Sequence, residues 1–62
     1  MWHIYINLIP NEEGEFEIHK SSCEKLGDPI NRTYIGVADN QKKALAKSKK
    51  IKSNAVLCTK CW

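Results

Sequence analysis

The chemistry-bearing residues of this 62-residue chain are three cysteines and two histidines, unevenly spaced. Cys58 and Cys61 form a Cys-x-x-Cys pair near one end, and His19 and Cys23 stand four positions apart, with 34 residues between Cys23 and Cys58. A Cys-x-x-Cys by itself fits a zinc knuckle, a redox motif or chance. Two ligand pairs, each locally close and far from the other in sequence, are what a closed structural zinc site uses. An odd cysteine count cannot pair completely into intramolecular disulfides. Tetrahedral zinc takes four ligands, and a histidine completes the three thiols. Thiolate and imidazole also suit this borderline-soft ion better than carboxylates do. The expected metal ligands are therefore His19, Cys23, Cys58 and Cys61. His3 is the competitor for the fourth position, but strand alternation turns it away from the core. A thioredoxin-like use of Cys58 and Cys61 would need a helix opening at the motif after a strand, and the pair stands at the last residues of the chain.

Those ligands need elements to carry them, and the chain is long enough for one small domain, residues 1–62. A chain of this size buries only about 60% of the surface its unfolded form exposes, so its core needs a disulfide, a metal or a partner. Hydrophobic residues at 42% and charged residues at 27% give an ordinary globular composition. No apolar run approaches a membrane span, and Met1-Trp2-His3-Ile4-Tyr5 lacks the basic start of a signal peptide, so a cytoplasmic setting is expected.

Trp2 to Ile9 alternates, with Trp2, Ile4, Ile6 and Leu8 on one face, and reads as a strand with one buried side. Pro10 to Gly14 carries turn chemistry, and Glu15 to His19 alternates again with Phe16 and Ile18 inward, so the two segments predict a β-hairpin. Ser21 and Glu24 have capping-box spacing, which predicts one helical turn placing Cys23 where amide dipoles favour its thiolate. Gly27-Asp28-Pro29 ends that turn, Ile30 to Arg32 reads as loop, and Thr33 to Val37 has the composition of a third strand. Asp39 is a suitable N-cap for a helix over Asn40 to Ile51, with Ala44, Leu45, Ser48 and Ile51 on its inner face. Asn54 is a candidate left-handed residue beyond it. The fold class expected is α+β: an antiparallel sheet of three to four short strands, one helix, and zinc joining the hairpin end to Cys58 and Cys61.

With these elements in place, the pattern resembles the Ada-type metal-binding module, the zinc domain of bacterial methylphosphotriester repair proteins that is also found appended to nucleases. The resemblance rests on His19-x-x-x-Cys23, Tyr34, a helix containing Ala44, and Cys58-Thr59-Lys60-Cys61, over roughly residues 16–62. Similar small stand-alone bacterial proteins carry His-Lys-x-x-Cys followed by Asn-x-x-Tyr-x-Gly, forms echoed by His19-Lys20-Ser21-Ser22-Cys23 and Asn31 to Gly36. The resemblance implies that His19, Cys23, Cys58 and Cys61 are the four metal ligands and that Lys60 is the basic residue within the knuckle. In the repair family the first ligand is a cysteine thiolate that accepts a methyl group from DNA phosphate. His19 stands there in this chain, and a coordinated imidazole is a far poorer nucleophile. The segment between Ala44 and Cys58 is also several residues longer than in the repair domain.

Charge is split along the chain. Residues 1–30 hold six acids and two lysines, whereas residues 31–62 hold eight bases and one acid. Six of those bases lie between Lys42 and Lys52. One reading is a polyanion-binding face, with Lys42, Lys43, Lys47, Lys50 and Lys60 meeting DNA or RNA phosphates without sequence preference. The plainer reading is a solvated helix. Tyr5 and Tyr34 could stack bases, although Tyr34 is expected in the core, and Trp62 is expected to cover the metal site rather than to stack. A protein-interaction module is the alternative, using the acidic hairpin or an exposed strand edge such as Met1–Ile9 that could pair with a partner. An enzyme is disfavoured, because four protein ligands leave the metal no open position.

Overall fold

In the computed structural model, which describes all 62 residues, four strands form one sheet with a single helix packed against it. The strands are β1 (Trp2–Asn7), β2 (Phe16–Lys20), β3 (Arg32–Ala38) and β4 (Ala55–Leu57); a 3-10 turn covers Pro29–Asn31, and the helix α1 is Gln41–Lys49. Their order across the sheet is β3-β1-β2-β4.

β1 and β2 are the expected hairpin, paired antiparallel with Ile6 opposite Ile18 and Ile4 opposite Lys20. β3 lies antiparallel on the other side of β1, so β1 is a central strand and not the free edge anticipated for Met1–Ile9. The sheet is mixed rather than wholly antiparallel, because β4 joins β2 in parallel. Parallel neighbours need a long crossover, and β3 with α1 supplies it.

Alternation sends Ile4, Ile6 and Ile18 to one face, where they meet Ala38, Ala44 and Ala55 in a fully buried cluster. Phe16, Ile35, Leu45, Leu57 and Trp62 close around it. The small side chains let α1 lie close to the sheet. Ser48 shares this interface, and its hydroxyl is buried without a hydrogen-bond partner.

Several local expectations are corrected. The helix begins one residue later than predicted: Asn40, in extended conformation, accepts a hydrogen bond from the Lys43 amide at 2.9 Å and is the N-cap. Asp39 instead pairs with the Lys43 ammonium at 3.3 Å. The helix ends at Lys49, which leaves Ile51 exposed. No helical turn forms around Ser21; the Ser21 amide donates to the His3 carbonyl, extending the β1–β2 ladder and removing the cap geometry. The chain reverses there through successive turns, closed by Cys23 N–H to Lys20 O at 2.9 Å and Leu26 N–H to Cys23 O at 3.1 Å. Cys23 therefore has no helix dipole behind it. Asn54 does not adopt a left-handed conformation, since every positive-φ residue is a glycine. Arg32, expected in a loop, begins β3.

Tyr34 is the most consequential correction. It is 51% exposed rather than part of the core. The β1–β3 ladder passes from Ile4 opposite Gly36 to Tyr5 opposite Tyr34, skipping Ile35. That irregularity, with Gly36 at φ +135°, resets the alternation. Ile35 packs toward the core and Tyr34 joins Tyr5 on the opposite face.

Candidate metal centre

The strand that buries Ile18 on one face must present His19 on the other. His19 is directly opposite Tyr5 in the β1–β2 ladder, away from the isoleucine core, yet it is fully buried. Two segments cover it. The turn after β2 brings back Cys23. β4 delivers Cys58, whose amide donates to the Ile18 carbonyl at 3.0 Å, so the parallel pairing with β2 sets the position of this ligand. A turn closed by Trp62 N–H to Cys58 O at 3.2 Å then places Cys61.

The ligand atoms of His19, Cys23, Cys58 and Cys61 all lie within 4.8 Å of one another. The Cys23 and Cys58 sulfurs are 3.9 Å apart. Two thiolates on one tetrahedral zinc, each about 2.3 Å from the metal, are separated by about 3.8 Å. A disulfide would require contact near 2 Å, and all three thiols are free. The four side chains thus form a cluster able to hold a metal ion.

Electrostatics point the same way. Burial pushes the Cys61 thiol up to about 12, and hydrogen bonds with Cys23 and Cys58 reinforce the shift against a backbone contact to Lys20 that opposes it. Three crowded sulfurs cannot ionise together unless a cation sits among them. Burial lowers the His19 pKa, partly offset by Glu17, which favours the neutral imidazole that metals require. Both His19 ring nitrogens lack a hydrogen-bond partner. An orphaned buried imidazole is costly, and coordination of one nitrogen removes half of that cost.

Glu17 was missed as a contributor. Its carboxylate oxygen lies 3.7 Å from His19 Nε2. The signal was present in the sequence, because residues two apart on a strand share a face.

His3 is not in the cluster; its Nδ1 lies 2.8 Å from the Tyr34 hydroxyl. Trp62 is half-buried and covers the core edge beside the site, its indole N–H donating to the Ile18 carbonyl at 2.9 Å. It meets Trp2 edge-on, and the Lys20 ammonium lies 4.0 Å from the Trp2 ring centre and 4.8 Å from that of Trp62.

The lysines singled out from the sequence, Lys42, Lys43, Lys47, Lys50 and Lys60, are all exposed. Lys60 projects from the turn between the two knuckle cysteines. Lys47 reaches back to the Val37 carbonyl, and Lys43 to Asp39. No helix is long and apolar enough to cross a membrane. No protein-family model, curated protein or solved structure matches this chain.

Proposed function

We propose that this chain is a non-catalytic zinc-binding module that contacts nucleic acid. The observation that carries the reading is the convergence of one imidazole and three thiols within 4.8 Å, a donor set suited to a closed structural zinc site. Zinc at that point ties β2, the turn after it and the segment following β4 into one unit. The need for reduced thiols suits a reducing compartment such as the cytoplasm.

The order of ligands and the basic Cys58-Thr59-Lys60-Cys61 knuckle support a relationship to Ada-type modules. Methyl transfer does not carry over, because His19 occupies the position of the reactive cysteine. Exposed Lys42, Lys43, Lys47, Lys50 and Lys60 supply the charge for phosphate contact. Elemental analysis should find one zinc per chain, and titration with labelled oligonucleotides should show binding that weakens steeply with salt. Charge reversal of Lys43, Lys47 and Lys50 to Glu should abolish that binding while zinc is retained. A protein partner is the second reading, favoured by the free outer edge of β3. It predicts no oligonucleotide binding even at low salt.

A further inference from the structure

The sheet face opposite α1 divides into two halves. The metal cluster and its covering turns occupy the β2–β4 half. On the β1–β3 half, aromatic and cationic side chains form an unbroken series. His3 and Tyr34 have ring centres 5.9 Å apart, Tyr34 and Tyr5 5.3 Å, and the Arg32 guanidinium lies 5.0 Å from the Tyr5 ring centre. Tyr34 is 51% exposed, and the contact between its hydroxyl and His3 restrains the ring from its far end.

We propose that this Tyr5–Tyr34 face is a stacking surface for the bases of a single-stranded nucleic acid whose phosphates run along the outer edge of β3. The inference rests on the nucleic-acid reading above and narrows it to one substrate class. Three observations support it. An exposed tyrosine ring on a sheet face offers an apolar plane of the size of a base, and base–aromatic stacking requires no sequence match. Duplex bases are already stacked on one another and cannot reach such a surface. The charge along β3 is also complementary to phosphate. No acid occurs between Asp28 and Asp39, and Asp39 is already paired with Lys43. Arg32 marks one end of the strand and Lys47, held at the Val37 carbonyl, the other. Their separation along the strand is on the order of 15 Å, room for a few nucleotides. Glu17 lies two strands from β3 beside His19, and Asp28 lies before the strand begins, beside Asn31 at its Arg32 end.

The test is titration of zinc-loaded protein at low salt with four labelled probes of equal length: oligo-dT, oligo-dA, an abasic phosphodiester strand and a duplex. Both base-bearing single strands should bind about tenfold or more tightly than the abasic strand. Tyr34→Leu should remove that advantage, and Tyr34→Phe should keep it. Because Tyr34 is exposed, neither variant should disturb the fold, which amide NMR spectra would verify. Equal binding of all four probes, or oligo-dT shifts confined to α1 in the NMR spectrum, would overturn the stacking surface and leave the lysine reading standing. Binding of no probe would overturn both. Base-dependent binding that survives reversal of Lys42 and Lys50, exposed lysines of the helix region that the stacking surface does not use, would uphold that surface and remove the helix.

Discussion

Tyr5 and His19 stand directly opposite each other on neighbouring antiparallel strands. A member of the candidate metal cluster and an aromatic surface residue are therefore cross-strand neighbours on one sheet face. Anything that loosens His19 should loosen the support beneath Tyr5.

Removing the metal should unfold the protein. Ten residues are buried, and His19, Cys23 and Cys58 are three of them, so the cluster is a large part of the interior. A strong chelator should collapse the dispersion of the amide NMR spectrum, and added zinc should restore it. Cys58→Ser should give the same collapsed spectrum without chelator. A dispersed spectrum in zinc-free protein would refute the requirement.

Glu17 should tune the site without being a ligand. The Glu17 carboxylate meets His19 as a charge contact at 3.7 Å and not as a hydrogen bond, and loss of a group supporting a metal-binding histidine typically costs about 10–100-fold in metal affinity. Glu17→Gln should weaken zinc binding by an amount in that range, measured by chelator competition, with the folded spectrum of the loaded form unchanged. Wild-type affinity in this variant would show that the contact is incidental.

Acid should release the metal. Burial pushes the Cys61 thiol up to about 12 in the metal-free cluster, and zinc takes cysteine only as its thiolate. Zinc binding at pH 7 should therefore expel protons, that of Cys61 among them. Affinity then rises with pH through the neutral range and falls as pH drops. Burial lowers the His19 pKa below its ordinary 6.5, so the imidazole contributes no proton above that value and adds to the loss of affinity only in more acidic solution. Calorimetry in buffers of different ionisation enthalpy would count the protons.

Ser48→Ala should stabilise the zinc-loaded protein by about 1 kcal/mol. The substitution removes a buried hydroxyl that has no partner and improves helix propensity. Chemical denaturation at fixed free zinc would measure the change. A loss of stability would show that the hydroxyl has a partner in solution.

The two candidate caps can be told apart. Asn40→Ala should cost about 1 kcal/mol, because the Lys43 amide loses its acceptor. Asp39→Ala should cost much less, since it removes only an exposed ion pair. The same denaturation experiment compares them.

The clustering of His19, Cys23, Cys58 and Cys61 was legible because soft donors at paired spacing have few other uses in a chain with so few of them. Ile4, Ile6 and Ile18 were legible from alternation. Tyr34 was not, because a single skipped residue in the β1–β3 ladder inverts which side chains face the core, and composition carries no record of that register. The direction of β4 was hidden for a related reason: Ala55-Val56-Leu57 is short enough to pair either way, and the path of the preceding crossover decides. Asp39 and Asn40 are both good caps, and only the backbone conformation at Asn40 selects between them. Ser21 failed as a cap because its amide was already committed to His3.

The parallel pairing of β4 with β2 bears on how the protein is made. During synthesis the growing chain offers two of the four cluster side chains once Cys23 has emerged, and the other two follow after 34 intervening residues. The first half rests on β2 of the hairpin, and the second half reaches it only after β3 and α1 have crossed over and β4 has docked. Metal loading and completion of the fold should thus be a single event, paced by closure of a long-range parallel pairing. A nascent or truncated chain ending before Cys58 should neither retain zinc nor persist in the cell.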